Sequence, residues 1–212
     1  MNWLYRYLRS SVGAKHVMAV TGILLLLFAI VHMLGHLQMF GGRAMYNAYA
    51  NFLQNLWEVK WPVRAGLLGL LILHVVIAIG LTARNRAARP VSYAVYRPAR
   101  SSIIGRSMAF TGLVVLGFLI WHLLEFTIAP KIHHDAYTMF VTAFQNPLHY
   151  GGYLLGILLL SMHLGHGASS WLQSLGWRHP KYPADRLGPW VATLLFVGYM
   201  VPPTAVLVGV IS

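Results

Sequence analysis

The sequence contains no cysteine and very few acidic residues. Among its 212 residues there are four Asp and Glu side chains in total, and charged residues make up 9% of the chain. Without cysteine the chain cannot form disulfides, thiolate-ligated iron–sulfur clusters, zinc–cysteine sites or the Cys-x-x-Cys-His attachment of a c-type haem. Any metal centre must therefore depend mainly on histidine, of which there are 11.

Long apolar runs dominate the rest of the chain. Hydrophobic residues account for 58% of the sequence, and they form five runs of about 20 residues or more, the length that a helix needs to cross a hydrocarbon layer. We therefore expect an all-α integral membrane bundle of five transmembrane helices, with residues 1–212 as one transmembrane domain. The first run is too long for a signal-peptide core, so we expect it in the mature protein. The predicted spans are residues 17–40, 62–83, 107–129, 147–172 and 187–211.

The net charge of +12 does not indicate a nucleic-acid partner, because the basic residues lie in short segments between the apolar runs. They concentrate before the first span, between the second and third spans, and between the fourth and fifth. The positive-inside rule then predicts a multi-pass protein of the inner or plasma membrane, with a cytoplasmic N-terminus and an external C-terminus. The basic residues in these segments are Arg6, Arg9, Lys15, Arg84, Arg86, Arg89, Arg97, Arg100, Arg106, Arg178, Lys181 and Arg186.

The two connections on the predicted outer side carry apolar residues at helical spacing, which predicts two short amphipathic helices lying on the membrane. Pro202 and Pro203 lie within the fifth predicted span, where the missing backbone donors are expected to kink the helix. The apolar residues of the two connections are Met45, Tyr49, Phe52, Leu53 and Leu56 in the first, and Tyr137, Phe140, Val141 and Phe144 in the second.

The chain contains an internal repeat of about 90 residues. It relates His32 to His122, Asn55 to Asn146 and His74 to His163. The first two predicted spans therefore correspond to the third and fourth, with the fifth appended. The repeat places one histidine in each of four spans.

A histidine at membrane depth is costly, so four of them in register predict a functional site, although any single one could be a hydrogen-bonded core residue. His32 and His122 come about 15 residues, or roughly 22 Å, after the cytoplasmic ends of their helices, whereas His74 and His163 lie nearer that side. We predict two b-type haems, one with axial ligands His74 and His163 in the inner half and one with His32 and His122 in the outer half. The second ring nitrogen of each ligand is expected to donate to a carbonyl one turn back.

Other polar residues near the predicted haems are candidates for secondary roles. His36 and His166 share a helix face with His32 and His163 and compete with them as ligands. Glu125 is the single acid within a predicted span, and we interpret it as a proton carrier or an outer quinone-site residue together with His36; the alternative is an interfacial acid. The candidates for contacts with haem propionates are Lys15, His16 and His166, with a snorkelling basic residue as the alternative for Lys15 and His16. The interfacial histidines are expected to be His133, His134, His149 and His179.

Four segments resemble the cytochrome b membrane subunit of succinate:quinone and fumarate:quinone oxidoreductases, in its single-subunit, five-helix, two-haem type. They are Lys15–Gly22 (KHVMAVTG), His32–Leu37 (HMLGHL), Tyr46–Leu53 (YNAYANFL) and His163–Gly176 (HLGHGASSWLQSLG), and the resemblance covers nearly the whole chain. In that family four histidines ligate the haems, and asparagine often stands at the places of His36 and His166. This implies that His36 and His166 are not iron ligands.

The resemblance implies a membrane anchor that passes electrons between a cytoplasmic iron–sulfur subunit, which receives them from a flavoprotein subunit, and quinone in the membrane. No residue of this chain would act on the dicarboxylate, so no catalytic residue is expected. Two haems near opposite faces favour menaquinone, handled near the outer haem, and Ser170 and Trp171 are weaker quinone candidates on the inner side. The direction of turnover and the oligomeric state of the complex stay open.

Two other readings of the sequence stay open. One is a di-haem cytochrome b anchor of another quinone-linked oxidoreductase, such as nitrate reductase or formate dehydrogenase. In the five-helix nitrate reductase type the ligands concentrate on two helices, whereas here they are spread over four. The other reading is a haem-free transporter or anchor that uses its histidines to relay protons. An absorption spectrum separates this last reading from the first two.

Overall fold

The part of the chain that the structure describes is almost entirely helical. The structure is a computed structural model that describes residues 3–88, 91, 103–128, 135–177 and 184–212, and these residues contain no strand. Five of the helices are long and apolar enough to cross a membrane, which confirms the predicted fold class. The α-helices are α1 (Trp3–Arg9), α2 (Ser11–Leu37), α3 (Gly42–Asn55), α4 (Trp57–Ala87), α5 (Ile103–Leu123), α6 (Ala136–Phe144), α7 (Pro147–Ser174) and α8 (Ala184–Leu207).

The helices begin at capping residues rather than where the hydrophobic runs begin. Ser10 caps α2, accepting a hydrogen bond from Gly13 N at 3.0 Å. Asn146 caps α7, with its Oδ1 3.0 Å from Leu148 N and Pro147 in the first turn. A side-chain acceptor of this kind satisfies one of the free N–H groups at a helix start. This explains why α2 begins at Ser11, several residues before the predicted apolar run.

Four helices form a ring around the centre of the bundle. The helix α2 packs on α4 and α7, and α5 packs on α7 and more lightly on α4. The helices α2 and α5 therefore lie diagonally across the ring from each other, as do α4 and α7. The fifth long helix, α8, packs outside this ring against α7 and α2. It runs through Pro202 and Pro203 as one helix, and the kink expected there stays a prediction.

The contact between α7 and α8 depends on two glycines. A Cβ atom at Gly165 would lie 2.6 Å from the carbonyl oxygen of Gly188, and one at Gly188 would lie 2.6 Å from the carbonyl oxygen of Gly165. The two backbones are therefore in direct contact, as in other membrane helix pairs with small residues at the interface. This contact attaches the unrepeated helix to the second half of the repeat.

The two predicted amphipathic helices are α3 and α6, and they lie together at one end of the bundle, which we call the α3/α6 end. Arg43 forms an ion pair with Asp135 at 3.2 Å, and Asn47 Oδ1 accepts from Tyr137 N at 3.0 Å. Asp135 also caps α6, and the Thr138 N–H that it accepts lowers the pKa of this carboxyl group. Aromatic side chains of both helices, including Tyr46 and Phe140, pack in the buried cluster at this end.

Large apolar side chains cover the outer surface of the long helices. Val31, Ile79 and Phe110 are each more than half exposed in the isolated chain. Such a surface is expected of spans that face lipid tails. The direction in which the spans cross the membrane stays a prediction. Of the basic residues on which it depends, Arg89, Arg97, Arg100, Arg178 and Lys181 lie outside the described residues.

Candidate metal centres

The four histidines of the repeat form two facing pairs inside the helix ring. His32 on α2 faces His122 on α5, with ring centres 6.0 Å apart. His74 on α4 faces His163 on α7, with ring centres 6.5 Å apart. Each pair joins helices that lie diagonally across the ring, and the rings of each pair meet at 74°. These are the pairs that depth along the helices predicts; whether they bind haem stays a prediction.

The separation of the rings suits one metal ion between two imidazoles. A bond from a metal ion to an imidazole nitrogen is about 2 Å long, and the ring centre lies about 1 Å behind that nitrogen, so two rings that share a metal have centres about 6 Å apart. Among the described residues, no group of three or more His, Asp or Glu side chains is placed to hold a metal ion. A haem iron takes two axial protein ligands, so the two pairs fit a haem better than a metal bound by the protein alone.

The hydrogen bonds of Thr21 fix the tautomer of His74. Thr21 Oγ1 lies 2.8 Å from the carbonyl oxygen of Val17 and 3.0 Å from His74 Nδ1. A hydroxyl group has one proton. Because Thr21 donates that proton to a carbonyl of its own helix, it can only accept from His74. His74 therefore carries its proton on Nδ1, and the lone pair of Nε2 is available to a metal.

The acceptor for His74 differs from the expected carbonyl one turn back. It is a hydroxyl on the neighbouring helix α2, because the imidazole extends away from α4 into the ring of helices. Thr21 is 2% exposed, so this hydrogen bond is shielded from water.

His163 lies against α5 in the same way that His74 lies against α2. A Cβ atom at Gly112 would lie 3.2 Å from His163 Cε1, and one at Gly22 would lie 3.4 Å from His74 Cε1. The glycines thus leave room for the two imidazoles. Unlike His74 Nδ1, His163 Nδ1 is buried without a hydrogen-bond partner.

A polar network supports His122 at the other pair. Tyr153 OH donates to Glu125 Oε2 at 3.1 Å and lies 3.2 Å from His122 Nδ1. Because its one proton goes to the carboxylate, Tyr153 accepts from Nδ1–H of His122 and leaves Nε2 available. Glu125 Oε1 lies 2.5 Å from His149 Nε2. His149, expected simply at the interface, is therefore part of this network, with its side chain 13% exposed.

Glu125 lies in a π-helical turn, Leu124–Ile128, that continues from α5. Such turns are rare and occur frequently at functional sites. The turn follows His122 directly in the sequence. The position agrees with the prediction that Glu125 is close to His122, although its quinone role stays a prediction.

His36 is in direct contact with His32. The Nε2 atoms of the two rings are 3.3 Å apart, and Tyr46 OH lies 3.2 Å from His36 Nδ1. His32 makes the ring contact with His122, whereas His36 packs on Phe140 at a ring distance of 5.4 Å. His36 thus connects the histidine pair to the aromatic cluster at the α3/α6 end.

The remaining candidates lie toward the opposite end of the bundle. Tyr7 of α1 is hydrogen bonded to His16 Nδ1, and the neighbouring Lys15 is exposed. The carbonyl of His166 accepts from Ser169, and Ser170 Oγ donates to Gly167 O. Trp171 stacks edge-on with Trp177, with ring centres 5.8 Å apart. None of these contacts joins the two histidine pairs, although His166 lies near enough to His163 to interact with it electrostatically. His133, His134 and His179 lie outside the described residues.

Sequence reasoning missed the acceptors Thr21 and Tyr153. A signal was present for the first of them, because the dipeptide Thr21–Gly22 recurs as Thr111–Gly112 with the period of the histidines. Tyr153 has no counterpart of this kind. Its contact with His122 depends on how α5 and α7 are rotated toward each other.

Comparison with known proteins found a relative that matches most of the chain. The chain is similar to the succinate dehydrogenase cytochrome b558 subunit of Bacillus subtilis (strain 168), with 25% identity over 176 residues, which are 81% of this chain and 82% of that protein. No family model and no solved structure matches the chain. The similarity confirms the resemblance carried by the sequence motifs, to the cytochrome b membrane subunit of a succinate dehydrogenase.

Proposed function

We propose that the chain anchors a succinate:quinone oxidoreductase in the membrane and holds two b haems that connect an iron–sulfur subunit with membrane quinone. The observation that carries the proposal is the presence of two facing imidazole pairs in a chain similar to a succinate dehydrogenase cytochrome b subunit. Four ligands on four helices also favour this assignment over an anchor of the nitrate reductase type. The chain itself does not act on succinate or fumarate.

The residues of each pair have distinct tasks in this proposal. In this proposal His74 and His163 would hold one haem and His32 and His122 the other, and Nε2 is the nitrogen left free on His74 and His122. When bound, each haem supplies a one-electron carrier. Thr21 and Tyr153 keep His74 and His122 in the tautomer that leaves Nε2 free, and such hydrogen bonds also raise the basicity of the ligand.

The end opposite α3 and α6 faces the cytoplasm in this proposal, as the distribution of basic residues predicts. The His74–His163 pair then lies on the side of the iron–sulfur subunit, with Lys15, His16 and His166 as basic groups near the propionates. The His32–His122 pair lies on the outer side. Glu125 and His36 are the candidates there for contact with menaquinone, and Ser170 and Trp171 are the candidates on the inner side.

Purification of the full chain from its native membrane tests the proposal. A reduced-minus-oxidised spectrum is expected to show b-type bands with two haems per chain, and a flavoprotein and a cysteine-rich iron–sulfur protein are expected to copurify. A chain without a b-type band would favour a haem-free anchor or transporter. A b-type chain that copurifies with a different catalytic subunit would place it in another quinone-linked complex.

Replacement of Glu125 by glutamine tests the proton role of the network. Glutamine keeps the shape of the side chain but cannot exchange a proton with His149 or a quinone. We expect quinone-linked turnover of the complex to fall at least about 10-fold, since positioned acid–base groups usually contribute more than this. Glu58→Gln, in the exposed first turn of α4, is the matched control and should be silent. An unchanged rate and pH profile for Glu125→Gln would show that the carboxylate has no such role.

A further inference from the structure

The repeat that relates the histidines also relates a Thr-Gly pair on the facing helix. Thr21–Gly22 lies on α2 opposite His74, and Thr111–Gly112 lies on α5 opposite His163. Both threonines are buried, with 2% and 7% of their surface exposed. Each hydroxyl donates to a carbonyl in the preceding turn of its own helix, Thr21 to Val17 and Thr111 to Ser107. Both are therefore available as acceptors toward the bundle interior.

The two histidines lie at matching positions on these pairs. From a Cβ atom built on the glycine, the distance to the imidazole Nδ1 is 3.9 Å for Gly22 and His74, and 3.8 Å for Gly112 and His163. The same edge of each ring thus faces the same point on its partner helix. At His74 this edge is hydrogen bonded to Thr21 at 3.0 Å, whereas His163 Nδ1 is buried and unpartnered.

A buried polar group without a partner destabilises the folded state. A hydrogen bond from His163 Nδ1–H to a nearby acceptor would therefore stabilise the fold. Ser161 Oγ is also buried without a partner, but it is two residues from His163 on the same helix. Side chains at that spacing do not face each other. Thr111 is thus the acceptor that the repeat places beside His163.

We propose that Thr111 is a positioning residue for His163 and accepts its Nδ1–H, as Thr21 accepts from His74, so that Nε2 of both imidazoles is left for one iron. This inference rests on the proposed haem-binding function and deepens it. In this proposal the hydroxyl groups of Thr21 and Thr111, which the repeat relates, hold His74 and His163 in the same tautomer. Hydrogen bonds to the far nitrogen of a ligating histidine orient the ring and strengthen its bond to the metal.

The test uses Thr111→Val and Thr21→Val in the full chain, purified with its haems. Haem retention is measured by challenge with excess apomyoglobin, and the midpoint potentials by redox titration. We expect each variant to release one haem about 10-fold more readily, since loss of such a partner typically weakens metal binding about 10–100-fold. The potential of that haem should rise, because a less basic ligand stabilises the oxidised iron less. Thr111→Ser and Thr21→Ser keep the hydroxyl and should restore both properties.

Two control variants separate this role from simple packing. Thr82→Val removes a hydroxyl that donates to Ala78 O on α4. Ser161→Ala removes a buried hydroxyl that has no hydrogen-bond partner and lies two residues from His163. Both should retain haem like the unmodified chain. The inference is wrong if Thr111→Val behaves like these controls, or if Thr111→Val and Thr21→Val affect different haems. Absence of haem from the unmodified chain would instead overturn the proposed function, and this inference with it.

Discussion

The His163→Ala variant is expected to lose one b-type haem and keep the other. The imidazole of His163 faces His74 across the helix ring, and a methyl group cannot replace it as an iron ligand. The other pair lies on different helices and retains both of its imidazoles. Haem content per chain should therefore fall from two to one, as measured by the pyridine haemochrome assay. The surviving haem also shows that the variant has folded.

The pairing itself is tested by comparing the bands that different variants lose. His74→Ala and His163→Ala should remove the same band from the low-temperature difference spectrum. His166→Asn is the matched control, because it changes a histidine on the same face of α7 and should leave both bands. If His74→Ala and His163→Ala removed different bands, the pairing would be wrong. Loss of a band in His166→Asn would make His166 a ligand instead.

The second large effect is expected at the other pair. His32→Ala or His122→Ala should remove the band that survives in His163→Ala, and it should abolish transfer of electrons to menaquinone. Oxidation of succinate with a soluble dye should continue in the same complex, because under the proposed function the dye can take electrons from the catalytic subunits before they reach this haem. The ratio of menaquinone reduction to dye reduction measures the loss of electron transfer through this haem, and it does not depend on how much complex assembles.

His36→Asn is the control for this second prediction. His36 touches His32 and competes with it as a ligand, yet His32 is the residue whose ring faces His122. We expect His36→Asn to keep two haems, with any effect confined to quinone-linked turnover. The opposite result would be retention of the outer band in His32→Ala together with its loss in His36→Asn. It would make His36 the ligand instead of His32.

Sequence length and periodicity were sufficient for the five spans and for the pairs of facing histidines. Span length is set by membrane thickness, and depth follows from the rise per residue, so neither depends on side-chain packing. The acceptors Thr21 and Tyr153 could not be predicted in this way. Each lies on a different helix from the histidine it contacts, so its role depends on the rotation of both helices, which a chain of almost uniformly apolar residues does not specify.

The network of Glu125 is a second case in which the sequence predicts a residue's depth but not its contacts. The single acid of the span was recognised as a candidate from its rarity, and its position near His122 follows from the sequence. Its partner His149 was expected merely at the interface. Although His149 belongs to the first turn of α7, the close packing of α5 and α7 brings its ring onto the carboxylate.

The diagonal placement of the pairs has a consequence for the origin of the fold. Each pair unites equivalent positions of the two halves, His32 with His122 and His74 with His163, as an isologous interface does in a symmetric dimer. Both candidate sites therefore lie between the two halves of the repeat. Residues 1–88 alone would supply one ligand to each site and complete neither. Two copies of such a helix pair could complete both, so a homodimeric precursor would already have possessed the two-centre arrangement that the duplicated chain now contains in one polypeptide.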